Sequence, residues 1–99
     1  MFGKQKILIV DDDENIAKLI SLYLTKECFD TKLVYDGEDA LAAFDSYQPN
    51  LILLDLMLPG ISGEEVLAQI RKQGNTPVIV LTAKDGLDEK IGLLTSGAD

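Results

Sequence analysis

The stretch LILLDLMLPG at residues 51–60 decides the fold. Its first four residues are apolar, and such a short uninterrupted run is typical of a central parallel strand buried on both faces. Asp55 follows directly, and Pro59-Gly60 predicts a turn. Burying an acid among Leu and Met side chains is costly unless its charge is compensated. We therefore expect Asp55 at the carboxyl end of the strand, at the rim where open α/β sheets bind ligands. The alternative is an acid that merely caps or solvates the strand end.

Length and composition indicate one small acidic domain. The chain has 99 residues, and 9 Lys+Arg against 17 Asp+Glu give a net charge of −8, a poor match for direct nucleic-acid contact. The sequence contains one cysteine and no histidine, so Ser-His-Asp and Cys-His catalysis and histidine metal ligands are excluded. Because we find no secretory signal and no long apolar span, we expect a cytoplasmic protein without a membrane contact.

Apolar periodicity predicts strands that alternate with helices along the whole chain. The predicted strands cover residues 6–10, 31–35, 51–54 and 77–81, and the predicted helices cover 15–27, 37–47, 63–72 and about 88–96. Such alternation with short loops is typical of a doubly wound parallel sheet with helices on both faces. We expect a flavodoxin-like α/β fold with strand order 2-1-3-4.

Local signals refine these helices. Asp36 is a plausible N-cap of the second helix, and Ser62 with Glu65 forms the pattern of a capping box at the third. We expect Cys28, after the first helix, to be a small core residue. The apolar residues of the first helix recur at the spacing of one buried face, namely Ile16, Leu19, Ile20, Tyr23 and Leu24.

Three of the four predicted strands are followed by polar residues that the topology brings to one rim. Asp11 and Asp12 follow the first strand, Asp55 the third and Thr82 the fourth. Read alone, the first pair is also compatible with helix capping and Thr82 with a hydrogen bond to backbone, so only the combination is specific. Clustered carboxylates repel one another, and Mg²⁺, which prefers oxygen ligands, would relieve that repulsion. Asp55 would then be placed to act as a nucleophile toward phosphorus, with Thr82 as a hydrogen-bond donor to the phosphoryl group.

The sequence resembles the receiver domain of two-component response regulators over nearly its whole length. The segments that carry the resemblance are ILIVDDD at 7–13, LVYDGEDAL at 33–41, LILLDLMLPGISGEEV at 51–66, PVIVLTA at 77–83 and LLTSGAD at 93–99. These segments are most similar to those of receivers in the winged-helix transcription-factor subfamily. The resemblance implies a signalling domain, not an enzyme, that accepts a phosphoryl group from a phosphohistidine on a sensor kinase.

The resemblance also implies a role for individual residues. Asp55 would be the phosphoacceptor, and Asp12, Asp55 and the backbone carbonyl of Met57 would bind Mg²⁺ directly. Asp11 would act through a metal-bound water, and Thr82 would contact the phosphoryl group and carry the conformational switch.

Two further positions matter in the same family. Ala83 would leave room for the phosphoryl group, and the side chains at Met57 and Lys84 would tune dephosphorylation.

The resemblance implies that a receiver continues into a fifth strand, a phosphoryl-binding lysine and a fifth helix, whereas this sequence ends at Asp99. We therefore expect one C-terminally truncated receiver over residues 1–99, without a DNA-binding output domain. The outer edge of the strand at 77–81 and the apolar face of the helix at 15–27 would then be uncovered. We expect the chain to self-associate through these surfaces.

Other functions remain open at this point. One is a structural fragment that is not phosphorylated, because the lysine is absent. Another is a phosphatase of the haloacid dehalogenase type, for which Asp11 and Asp13 have the right spacing but the chain is too short. Flavin binding is disfavoured, because no Ser/Thr-rich phosphate loop follows the first strand.

Overall fold

The structure is a computed structural model that describes residues 4–81. Seven elements alternate along these residues, as the sequence predicts. In chain order they are β1 (Lys6–Val10), α1 (Glu14–Lys26), β2 (Asp30–Val34), α2 (Gly37–Tyr47), β3 (Leu51–Asp55), α3 (Gly63–Gln73) and β4 (Val78–Leu81). The predicted bounds differ from these by one residue at most. The predicted helix at about 88–96 lies outside the described residues.

The strands form a parallel sheet in the order β2-β1-β3-β4, which confirms the predicted topology. β1 pairs with β2 and β3, and β3 pairs with β4, all in parallel register. β3 is therefore a central strand with a neighbour on each side, which accounts for its uninterrupted apolar sequence.

Alternate residues of the strands supply two cores. On one face, Leu8, Ile52 and Leu54 pack with Val66 and Ile70, so that α2 and α3 cover this side of the sheet. Odd-numbered residues of the same strands face α1 on the other side. Each helix therefore covers one face of the sheet, as a doubly wound fold requires.

The face of α1 that meets the sheet is narrower than its apolar sequence predicts. Ala17 is fully buried, whereas Ile16, Leu19 and Tyr23 are 43%, 66% and 67% exposed. The prediction that these three belong to the buried face is wrong within the described residues. The spacing of apolar residues on α1 fits two adjacent stripes, and the stripe that contains the small Ala17 lies against the sheet.

Cys28 is exposed, and the prediction that it is a core residue is wrong. It follows the C-cap of α1 with φ of 73°, in the left-handed conformation that often ends a helix. Its N–H donates to the carbonyl of Thr25, and the N–H of Phe29 donates to that of Leu24, which together form a Schellman motif. The chain reversal directs Phe29, rather than Cys28, toward the core.

The predicted N-caps of α2 and α3 are confirmed. The Asp36 carboxylate accepts from the N–H of Asp39 at 2.7 Å, and Ser62 Oγ accepts from the N–H of Glu65 at 3.1 Å. The reciprocal half of the capping box is absent among residues 4–81, because the Glu65 carboxylate accepts from Gln69 instead. Over the same residues, no helix has the length and apolar character needed to cross a membrane.

Candidate metal centre

The register of the sheet brings two of the predicted site residues together. Val10 lies opposite Leu54 in the pairing of β1 with β3. Asp11 directly follows β1 and Asp55 is the last residue of β3, so both acids reach the carboxyl rim side by side. Leu81 lies opposite Asp55 in the pairing of β3 with β4. The rim position of Asp55, which the sequence predicts, is confirmed by this pairing.

Three carboxylates meet at this rim. One side-chain oxygen from each of Asp11, Asp12 and Asp55 lies within 4.8 Å of the other two. Asp11 is 5% exposed and Asp55 is 9% exposed, whereas Asp12 faces solvent. The ion pair between Lys18 and Glu14 involves none of these three carboxylates. The three carboxylates therefore concentrate negative charge at this rim.

The Asp55 carboxylate is oriented by the backbone that follows it. The N–H of Met57 donates to Asp55 Oδ1 at 3.0 Å. Burial, which is the main cause, and the neighbouring charges of Asp11 and Asp12 together raise the pKa of Asp55 to about 6, although the hydrogen bond from Met57 acts in the opposite direction. Ionised Asp55 is therefore held in an unfavourable environment, which a bound cation would relieve.

Asp13 has a different role from its neighbours. Its carboxylate accepts from the N–H groups of Asn15 and Ile16 at 3.0 and 3.2 Å, and so caps α1. Its own N–H donates to Asp11 Oδ1 at 2.9 Å, which orients the Asp11 side chain. Because the Asp13 carboxylate caps a helix, the pairing of Asp11 with Asp13 that a haloacid dehalogenase needs gains no support.

The donor set of the cluster fits a hard divalent cation. Carboxylate oxygens are the ligands that Mg²⁺ prefers, and Mg²⁺ usually retains several waters beside one or two carboxylates. Exposed Asp12 leaves the cluster open to solvent on one side, so such waters and an anionic ligand can be accommodated. Asp11, Asp12 and Asp55 are therefore the residues that would hold Mg²⁺.

The remaining predicted site residues fall into two groups. Met57 lies next to the cluster and is 53% exposed. Its N–H contact with Asp55 was not predicted, because a backbone group leaves no signal in the side-chain pattern. Thr82, Ala83 and Lys84 lie outside the described residues.

The sequence comparisons agree with this fold. The family model of the response regulator receiver domain matches residues 7–99. The DNA-binding response regulator MtrA of Mycolicibacterium smegmatis is 45% identical over 97 residues, which are 97% of this chain and 42% of MtrA. The response regulator ArlR of Staphylococcus aureus is 45% identical over 94 residues, or 95% of this chain and 43% of ArlR. The chain thus spans less than half the length of these curated relatives.

A solved structure shows the same similarity in three dimensions. The response regulator TrrA from Thermotoga maritima, in complex with Mg²⁺ and beryllium fluoride, superposes with a TM-score of 0.82 at 38% identity. The match covers 96% of this chain and 82% of that chain. The family match, the relatives and the sheet order agree with the predicted resemblance, and the chain belongs to the response regulator receiver domain family.

Proposed function

We propose that this chain is a phosphoacceptor domain in which Asp55 receives a phosphoryl group with the help of Mg²⁺. The observation that carries the proposal is the convergence of three carboxylates on a buried, rim-positioned Asp55. In this proposal Asp12 and Asp55 bind the cation directly, together with the backbone carbonyl of Met57. Asp11 acts through a metal-bound water.

The side chain of Asp55 carries the chemistry. A carboxylate oxygen attacks phosphorus, a phosphorus–oxygen bond forms, and the bond between phosphorus and the imidazole nitrogen of the donor breaks. A pKa of about 6 leaves Asp55 mostly ionised at neutral pH, as a nucleophile must be. The Met57 N–H holds Asp55 Oδ1 and so restricts the orientation of the attacking group. When bound, Mg²⁺ supplies charge neutralisation for the phosphoryl oxygens.

Thr82 completes the proposed machinery. It follows Leu81, which pairs with Asp55 across the rim, and we infer that its hydroxyl donates to the phosphoryl group and carries the switch. Ala83 would leave space for that group, and Lys84 and the Met57 side chain would influence dephosphorylation.

The proposed partner is a sensor histidine kinase in the cytoplasm. The phosphohistidine must be supplied by another protein, because this chain contains no histidine.

We propose that the phosphorylated chain controls transcription through an output domain, as the name of the DNA-binding relative MtrA supports. The net charge of −8 argues against contact between this chain and nucleic acid. The beryllium fluoride complex of TrrA supports the use of Mg²⁺. We propose a signalling role in place of enzymatic turnover.

Intact-mass spectrometry with acetyl phosphate tests the proposal. Wild-type protein and the Asp55→Asn variant are incubated with and without Mg²⁺. Asp36→Asn is a matched control, because it removes an acid from the loop between β2 and α2 while the asparagine can still cap α2. We expect one phosphoryl adduct on wild type and on the control, dependent on Mg²⁺, and none on Asp55→Asn. Folded wild-type protein that gains no adduct would refute the proposal and favour a non-phosphorylated structural fragment.

Self-association through the outer edge of β4 is a separate proposal. Within residues 4–81, β4 pairs with β3 alone, and Ile79 at its centre is 38% exposed. An apolar strand with a free edge tends to pair with another chain. Light scattering at micromolar concentration should show a dimer or larger species, and a stable monomer would contradict this.

A further inference from the structure

Gly63, the first residue of α3, lies directly against the backbone that follows Asp55. A Cβ atom at this position would lie 2.4 Å from Leu56 Cα and 2.7 Å from the carbonyl oxygen of Asp55. Both neighbours are main-chain atoms, so no side-chain rotation can make room. Gly63 also donates its N–H to the carbonyl of Leu56 at 3.1 Å. Any larger residue would therefore displace either α3 or the end of β3.

Gly37, the first residue of α2, makes a similar approach to the other end of the same loop. A Cβ atom there would lie 2.5 Å from the carbonyl oxygen of Ile61 and 2.9 Å from its Cβ. Glycine has a lower intrinsic helix propensity than alanine. Neither Gly37 nor Gly63 has a positive φ, so close packing, and not backbone conformation, is the reason for a glycine at both positions.

We propose that Gly37 and Gly63 are positioning residues that clamp the loop 56–62 and thereby hold the backbone of Met57 in place for the metal centre. This proposal rests on the proposed function, because it assumes that the backbone of Met57 takes part in binding Mg²⁺. Gly63 fixes the start of the loop at Leu56, and Gly37 fixes its end at Ile61. Met57 lies between them, and its N–H orients Asp55.

The clamp also connects two helices to the site. α2 and α3 begin at these glycines, so a displacement of either helix would be passed to the loop through contacts between backbone atoms. Residues that orient metal ligands commonly change metal affinity by about 10- to 100-fold when they are replaced. We therefore expect the Gly63→Ala and Gly37→Ala variants to lose affinity for Mg²⁺ while they remain folded.

Three alanine variants test the clamp. Gly63→Ala and Gly37→Ala are compared with Gly74→Ala, a matched control at the C-cap of α3, where a Cβ would meet nothing within 4 Å. The dissociation constant for Mg²⁺ is measured by titration of backbone amide chemical shifts. Measurements are made at a temperature at which circular dichroism shows wild-type helix content, so that global unfolding does not enter.

The expected outcome is weaker Mg²⁺ binding by about tenfold or more in Gly63→Ala and Gly37→Ala, with Gly74→Ala within about twofold of wild type. Folded Gly63→Ala and Gly37→Ala variants with wild-type affinity would overturn the clamp. Failure of wild-type protein to bind Mg²⁺ at all would instead refute the proposed function.

Hydrogen exchange of the wild-type protein decides the question if neither variant folds. The amide of Gly63, which is bonded to Leu56, should then be as protected as the amides of β3. Exchange of that amide at the rate of an open loop would overturn the proposal.

Discussion

Replacing Asp55 by asparagine should stabilise the metal-free protein at neutral pH, although Asp55 is the proposed phosphoacceptor. Burial, followed by the charges of Asp11 and Asp12, raises the pKa of Asp55 from 3.8 to about 6. Asparagine has the same shape without the charge. Its side-chain oxygen can still accept the N–H of Met57, which in wild type donates to Asp55 Oδ1 at 3.0 Å.

The sign and size of the effect follow from proton linkage. Because the folded protein holds the Asp55 proton more tightly than the unfolded chain, ionisation destabilises the fold. The contribution of Asp55 to the free energy of unfolding therefore falls as the pH rises from 3.8 to about 6, and it is constant above that range. The difference between the two pKa values corresponds to about 3 kcal/mol at neutral pH, which we take as an upper limit for the gain in Asp55→Asn.

Urea unfolding followed by circular dichroism measures this gain. In EDTA at about pH 7.5, the asparagine variant should be more stable than wild type, and the gap should narrow as the pH approaches the ordinary pKa of aspartate. Mg²⁺ at about ten times its Kd should then stabilise wild type by about 1.4 kcal/mol and have little effect on the variant. Asp36→Asn is the control for loss of one negative charge. An Asp55→Asn variant that is less stable than wild type in EDTA at neutral pH would refute the electrostatic reasoning.

Three further predictions concern metal binding and stability. Asp12→Asn should weaken Mg²⁺ binding by about tenfold or more, with little change in urea stability, because Asp12 is an exposed member of the cluster. Asp13→Ala should lower the free energy of unfolding by about 1 kcal/mol, since it removes the N-cap of α1, whereas Asp13→Asn should keep the cap and most of the stability. Ile70→Ala should cost about 2–5 kcal/mol because Ile70 is fully buried, and Leu22→Ala, at a 58% exposed position, should change stability by less than about 0.5 kcal/mol. Equal effects of the last two substitutions in urea unfolding would contradict the assignment of the core.

The topology could be predicted because strands and helices alternate along the sequence. The acidic cluster could be predicted because acids follow the predicted strands. An uninterrupted apolar run before Asp55 indicates a central strand, and the parallel arrangement brings Asp11 to the same rim. The observed register, with Val10 opposite Leu54, confirms the inference that two chain segments 44 residues apart meet there. No knowledge of side-chain packing was needed.

The features that could not be predicted depend on three-dimensional packing. The spacing of Ile16 and Leu19 on α1 does not distinguish two adjacent apolar stripes, and the stripe that meets the sheet is selected by the small Ala17. The prediction for Cys28 was wrong because a residue in the left-handed conformation after a helix reverses the chain. The sequence has no glycine at this position to indicate such a reversal. The close approach of Gly63 to the backbone of Leu56 likewise leaves no pattern in the sequence.

The most direct test of the central claim is to locate the phosphoryl group. Protein treated with acetyl phosphate and Mg²⁺ is reduced with borohydride, which converts an aspartyl phosphate to homoserine, and is then digested for peptide mass mapping. The account predicts modification at Asp55 alone, lost when Mg²⁺ is removed. Modification at Asp11 or Asp12, with Asp55 unchanged, would contradict it.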